Sequence, residues 1–244
     1  MIVSPRTVIH HVTMTRQTVR RWIAIGLCAL VLALPLGWAA YAVVTWSSFG
    51  RVPIRAAPDS AMMRYMPRYD IAELHQTRVA APAAVTYQAA YEMDLQGSGV
   101  VHAIFRAREV LLRATPPRRT DSSFVSELRS IGWGVLEETP GRRIVLGAVT
   151  QPWEANVVFR AIPARDYAAF DSAGYVKIVV TLAADSLGPR ASRLWTETRA
   201  VATDDASRAK FRRYWSIFSP GILLIRSEAL RVARREAERA AAAR

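Results

Sequence analysis

Read from the N-terminus, the first strong pattern is an absence of charge. From Trp22 to Trp46 the chain runs WIAIGLCALVLALPLGWAAYAVVTW. About 20 apolar residues cross a hydrocarbon core of about 30 Å, so this stretch is long enough to span one with some tilt. Trp22 and Trp46 bracket it and Trp38 and Tyr41 sit toward its distal end, as rings that prefer the membrane interface do. Pro35 is tolerated inside a lipid-embedded helix. The pattern predicts a transmembrane helix over 22–46, preceded by a short, cytoplasmic tail over 1–21. A cleaved signal peptide is the rival reading, with Arg20 and Arg21 as its charged start and Ala40-Tyr41-Ala42 as its cleavage site. Signal peptides carry apolar cores of only ~7–15 residues, which favours an uncleaved anchor. Arg6, Arg16, Arg20 and Arg21 before the span, against Arg51, Arg55 and Arg64 after it, place the N-terminus inside and the remainder on the extracytoplasmic side. Met14 is an alternative start that leaves most of that bias intact.

Residues 47–68 carry Pro53, Pro58 and Pro67 without a sustained period and read as a linker. Met62, Met63, Tyr65 and Met66 offer the alternative of a stretch lying on the membrane. From Tyr69 to Val79 alternation predicts a strand, with Ile71 and Val79 on one parity. Pro82 opens a helix that runs to about Asp94. Gly97-Ser98-Gly99 breaks it, Val100–Arg113 forms a second helix, and Thr115-Pro116-Pro117-Arg118-Arg119 ends that one. Ser122–Ser130 adds a short third. Beyond Gly132 the texture turns to strands. Trp133–Glu138 and Arg143–Thr150 flank the turn Thr139-Pro140-Gly141, and Val157–Ile162 follows as a short strand. After a polar-aromatic loop (164–174), Tyr175–Ala184 and Arg193–Thr203 flank Leu187-Gly188-Pro189-Arg190, with Val176, Ile178, Val180 and Leu182 on one face. Asp204 and Asp205 cap a long helix whose Phe211, Trp215 and Phe218 fall on one stripe. Ser219-Pro220-Gly221 is expected to interrupt that helix, which resumes at Ile222. The order strand, helices, antiparallel strands, terminal helix predicts an α+β domain with helices on one face of an antiparallel sheet.

That order, with certain strings, resembles the polyketide cyclase/START-like superfamily, also called SRPBCC or helix-grip. The strings are Val79-Ala80-Ala81-Pro82 before the first helix, Glu138-Thr139-Pro140-Gly141, the strand Leu194-Trp195-Thr196-Glu197-Thr198-Arg199, and Tyr214-Trp215 with Ser219-Pro220-Gly221 on the capped terminal helix. The resemblance covers residues 69–240. It implies a curved antiparallel sheet wrapping the C-terminal helix, with a cavity between them that takes a hydrophobic molecule. The N-terminal anchor departs from the simplest pattern of the family and argues against a freely diffusing carrier.

Composition then narrows the chemistry. With 51% hydrophobic residues and 22% charged, the chain is not a disordered one. Its 33 Lys+Arg against 20 Asp+Glu give a net charge of +13, yet among the basic residues only Lys177 and Lys210 are lysines. Such an arginine bias, with abundant alanine, fits the coding habit of a high-GC bacterium. The arginines are scattered, and from Glu228 to Arg244 they alternate with glutamates, so nucleic acid is not expected as a partner. The single cysteine, Cys28, lies in the apolar run and excludes a disulfide framework, a thiolate zinc site and a CxxC pair. His10, His11, His75 and His102 lack HxxxH or HExxH spacing, and neither a GxSxG elbow nor a phosphate loop occurs. Neither metal nor cofactor is expected.

The aromatic residues carry the case for a ligand. Phe105, Trp133, Trp153, Phe159, Phe170, Trp215 and Phe218 are the candidate lining residues, with Trp195 as a further ring; the competing view is that they simply fill the core. On the hairpin, Lys177 is expected opposite Glu197 or Arg199, on the face away from Val176, Ile178 and Val180. Were that face to line the cavity, Glu197 could act as an acid, with Tyr175 and Tyr214 as alternatives. The sequence thus predicts a single-pass protein of a bacterial cell membrane, whose partners are membrane lipids and a hydrophobic small molecule, without covalent chemistry. A cyclase or dehydratase and a ligand-free interaction module stand as alternatives.

Overall fold

The computed structural model describes residues 16–51, 60–95, 97–113 and 123–243. Its elements are α1 (Arg16–Ser48), α2 (Ser60–Tyr65), β1 (Ile71–Val79), α3 (Ala83–Glu92), α4 (Gly99–Leu112), α5 (Phe124–Ser130), β2 (Gly134–Thr139), β3 (Arg143–Thr150), β4 (Phe159–Arg160), α6 (Ala164–Tyr167), β5 (Val176–Gly188), β6 (Ala191–Ala202) and α7 (Asp205–Ala242). The chain divides into two units, Met1–Val43 and Val44–Arg244. The helix α1, which begins in the first unit and ends in the second, is continuous over 33 residues, about 50 Å. Among the described residues, no helix is long and apolar enough to cross a membrane. Many side chains between residues 23 and 34 lie outside the described ones.

In the second unit six antiparallel strands form one sheet in the order β1–β6–β5–β3–β2, with β4 beside β3. Strand alternation gives the sheet two different faces. On the inner face Ile144, Leu146, Leu182, Ala184 and Leu194 pack beneath α3, α5 and the C-terminal half of α7, where Leu230, Ala233 and Ala237 are buried. Nearer the start of α7, Phe211 and Trp215 close over Ile71, Val176 and Ala200. Small residues at Ala90, Ala233 and Ala237 suit α3 and α7 to close packing. The sheet and the long helix therefore bury one another, as expected of a helix-grip architecture.

Asp204 fixes where α7 begins. Its carboxylate accepts from the Ser207 backbone N–H (2.9 Å), the Ser207 hydroxyl (2.6 Å) and the Gly174 N–H (2.6 Å), capping the helix and tying it to the loop before β5. Those bonds, the Gly174 N–H first, hold its carboxyl below the usual carboxylate range.

Four expectations are corrected here. Pro220 does not interrupt α7, which runs unbroken for 38 residues. Trp215 and Ser219 before the proline and Leu230 after it are all buried, so packing on both sides outweighs one lost backbone bond. The end of the segment read as a linker is the short helix α2, whose Ala61, Met62 and Tyr65 pack with Met66 against Leu136, Val145, Tyr167 and Val179 on the outer face. Gly147 makes this contact close, since a Cβ there would lie 2.6 Å from Leu136 Cδ1 and 2.8 Å from Tyr167 Cε2. Lys177 pairs with Val201, whereas Glu197 faces Thr181 and Arg199 faces Val179. The hairpin arms also run on to Gly188 and Ala191, with only Pro189 and Arg190 between them.

Glu197 and Arg199 form a buried pair on this outer face: Arg199 Nε donates to Glu197 Oε1 at 2.7 Å, and the two side chains are 11% and 4% exposed. The guanidinium also donates to the Met66 carbonyl (3.3 Å) and stacks 4.7 Å over the Tyr69 ring. Removing one member strands the other charge without solvent. Arg199→Met is expected to destabilise the fold by about 3–5 kcal/mol in urea unfolding, and adding Glu197→Leu should recover most of that loss.

Candidate functional site

The inner face of β1 carries Ile71, Glu73, His75, Thr77 and Val79, because each pairs with an inward position of β6. Three of those five side chains are polar, and they lie opposite α7. The helix meets them with Arg226, whose Nε donates to His75 Nδ1 (3.2 Å) while Nη1 donates to Thr198 Oγ1. Its Nη2 donates to the carbonyl oxygens of Glu73 (3.0 Å) and Thr196 (3.1 Å). A guanidinium thus lies between sheet and helix, bonded to two neighbouring strands. Burial draws its pKa down to about 10, against the opposing fields of Glu73 and Glu197, so it remains charged at neutral pH. Burial first, and Arg226 second, lower the pKa of His75. Neutral His75 with Nδ1 accepting keeps its proton on Nε2.

Two apolar clusters flank this polar centre, and the predicted aromatic residues divide between them. Trp133 and Phe159 meet at 5.3 Å between ring centroids in the cluster under α3 and α5. Gly132 sets Trp133 there: its φ of +108° suits glycine, and a Cβ would lie 2.2 Å from the Phe159 carbonyl oxygen. Trp153 and Trp215 belong to the other cluster, near the start of α7. Ile178 touches both clusters. Phe218 stacks on Tyr214 at 5.1 Å, and Phe170 meets Tyr175 edge-on at 6.0 Å. Phe105 is on α4 and 42% exposed, so it lines no interior. The seven rings are therefore not walls of one chamber.

The acid role for Glu197 is corrected by the alternation of β6, which turns it to the outer face against Arg199, away from α7. Tyr175 accepts a bond from Arg160 Nη1 (2.8 Å) at an exposed position. Sequence reasoning missed Arg226, Thr198 and the role of His75. A signal was present, since parity from Ile71 to Val79 already turned Glu73, His75 and Thr77 inward, which demands a polar partner on whatever covers them. It also missed Tyr87 of α3, which is 2% exposed. Burial, with Glu138 and Tyr91 nearby, holds the phenol of Tyr87 well above its usual pKa.

Among the described residues, Tyr87 Oη, Trp133 Nε1, Trp153 Nε1 and Thr181 Oγ1 are buried without a hydrogen-bond partner. The first three lie on the helix-covered side of the sheet. The outer face bears a dent of about 140 Å³ lined by Thr139, Arg142, Arg143, Ala183, Asp185 and Trp195. That is well short of the roughly 300–1,000 Å³ of typical small-molecule sites. No group of His, Cys, Asp and Glu among the described residues is arranged to hold a metal ion.

The sequence matches no family model and no curated protein. Solved structures with a similar course of chain include a hypothetical protein from Helicobacter pylori, at 9% identity and TM-score 0.35, covering 78% of this chain and 98% of that one. The Zhui aromatase/cyclase from Streptomyces sp. R1128 is 17% identical at TM-score 0.26, covering 69% and 94%. CalU16 from Micromonospora echinospora is 15% identical at TM-score 0.25, covering 70% and 86%. Likeness at this level leaves the architecture to be read from the chain's own strand order and helix packing.

The lowered pKa of His75 fixes a pH dependence. Above the unfolded value of about 6.5 both states are neutral at this position and nothing is gained or lost. As pH falls below it, the unfolded chain takes up a proton that the folded chain refuses, so stability declines. Urea unfolding between pH 8 and pH 5 (about 25 °C) should show that decline, and His75→Asn, which keeps an acceptor but does not titrate, should flatten it.

Proposed function

We propose that this chain is a membrane-anchored helix-grip domain that binds an apolar small molecule between its sheet and α7, without covalent chemistry. The observation that carries the reading is the set of buried donors without partners, Tyr87 Oη, Trp133 Nε1 and Trp153 Nε1, set in apolar surroundings. Buried polar groups are nearly always bonded, and each exception calls for a partner. A mostly hydrocarbon guest with acceptor oxygens would meet both demands of this interior, apolar contact and acceptors for those donors.

The anchor is supported by the uncharged run from Trp22 to Trp46 inside the continuous helix α1. Leu36, Val43 and Val44 on that helix are 69%, 68% and 63% exposed, an arrangement that lipid satisfies and water does not. An anchored domain would sample a guest dissolved in the bilayer at high local concentration. A second reading, a filled interaction module, is favoured by Arg226, because every nitrogen of its guanidinium already donates to the chain.

Native mass spectrometry of the detergent-extracted full chain separates the two. A retained small molecule is expected, and its occupancy should fall about 2- to 10-fold in Tyr87→Phe or Trp133→Phe, the worth of one net hydrogen bond. A chain that carries nothing and binds nothing from a panel of lipids and aromatic polyketides overturns the ligand reading.

A further inference from the structure

The residue that closes the apolar run is fastened to the domain. The Trp46 carbonyl oxygen accepts from Arg212 Nε (3.0 Å) and Nη2 (2.7 Å), and the same guanidinium lies 4.3 Å from the centre of the Trp46 ring. Phe49 packs edge-on against Phe211 at 5.6 Å, and the Arg208 guanidinium lies 5.6 Å from the centre of its ring. The Gly50 N–H donates to the Asp70 carbonyl (3.0 Å), and Asp70 in turn accepts from Arg208 Nε (2.7 Å). Trp46 and Phe49 are therefore held by the first turns of α7, and Gly50 by Asp70, which Arg208 of α7 binds in turn.

From this geometry we infer that the pole of the domain formed by Trp46–Arg51 and the first turns of α7 rests on the headgroups of an anionic bilayer. The inference depends on the anchor reading, since a bilayer around Trp22–Trp46 must end where this pole begins. The surface has the matching chemistry. Lys210, Arg213 and Ile217 follow one another at helical spacings of three and four and are exposed, Ile217 by 40%. Trp46 is 44% exposed and Arg51 is also exposed. Of the nearby acids, Asp70 is buried against Arg208 and Asp204 is engaged in capping, while Asp205 is exposed, as is Glu154 next to Trp153, over whose ring Lys210 lies at 5.5 Å. Aromatic rings and an isoleucine among Lys and Arg are the side chains that settle at headgroup level, and anionic lipid attracts the cations.

The opposite pole provides an internal control. The Thr203 N–H bonds the Tyr175 carbonyl at 3.0 Å, so β5 starts beside α7's first turn. Its 13 residues then carry the hairpin tip at Leu187 about 40 Å away.

The test uses the full chain in a Cys28→Ser background, reconstituted in vesicles of phosphatidylcholine with phosphatidylglycerol. A fluorophore on Ile217→Cys, and separately on Lys210→Cys, should be quenched several-fold more by headgroup spin-labelled lipid than one on Leu187→Cys. That contrast should shrink in phosphatidylcholine alone and in an Arg213→Gln variant of the Ile217→Cys chain. Equal quenching at both poles, in chain that resists alkaline carbonate extraction, overturns this inference and leaves the anchor intact. Release by carbonate overturns the anchor reading and this inference with it.

Discussion

A sheet that turns the polar side chains of His75 and Thr198 toward its covering helix has a solvation problem, and Arg226 is the solution this chain adopts. Its guanidinium satisfies His75, Thr198 and the carbonyls of Glu73 and Thr196. The contacts on either side are apolar and non-directional, Phe211 and Trp215 toward the start of the helix and Leu230, Ala233 and Ala237 toward its end. Apolar contacts of that kind tolerate sliding. The arginine does not, because a shift of one turn, about 5.4 Å, would press an unpaired charge into a hydrocarbon layer. Register of helix against sheet is thereby set by one polar centre, while most of the burial energy comes from its neighbours.

The same centre divides the interior. On one side lie Tyr87, Trp133 and Phe159, on the other Trp153 and Trp215, and Ile178 is shared. The buried donors without partners fall on both sides, Tyr87 and Trp133 on the first and Trp153 on the second. A guest of the proposed kind would lie along the helix past a charged midpoint. That arrangement suits a molecule with polar atoms along its length better than a plain acyl chain, which would leave the donors unbonded.

Much of this was legible in the chain itself. Alternation and turn residues gave β3 to the residue, Arg143–Thr150, and Asp204 marked the start of α7. The misreadings share a cause, which is that packing at a distance overrode a local cue. Pro220 is a helix breaker in isolation, but buried side chains on either side carry the helix through it. The prolines of residues 47–68 suggested a tether, yet Met62 and Met66 fill an outer surface that no local pattern announces. The acid role for Glu197 required its face of the sheet to line a cavity, whereas that face turns away from α7 and Glu197 is paired with Arg199, two residues along the same strand. The inward polarity of β1 was readable by parity, but its partner lies 151 residues away in sequence from His75, beyond any local pattern.

The unbroken α7 links these observations to the membrane reading. Arg212, which holds Trp46, and Arg226, which anchors the polar centre, lie on one helix. Fourteen residues at 1.5 Å each put them about 21 Å apart. A broken helix at Pro220 would have made that distance variable, and continuity makes it fixed. If headgroups lie at the level of Trp46, a guest leaving the bilayer has roughly 20 Å to travel along the helix before it meets the guanidinium. Shielded passage over such a length needs apolar cover, and Phe211, Trp215 and Ile178 lie along the way. The rigid helix, more than any single contact within the site, would then be what couples holding the membrane to receiving a molecule from it.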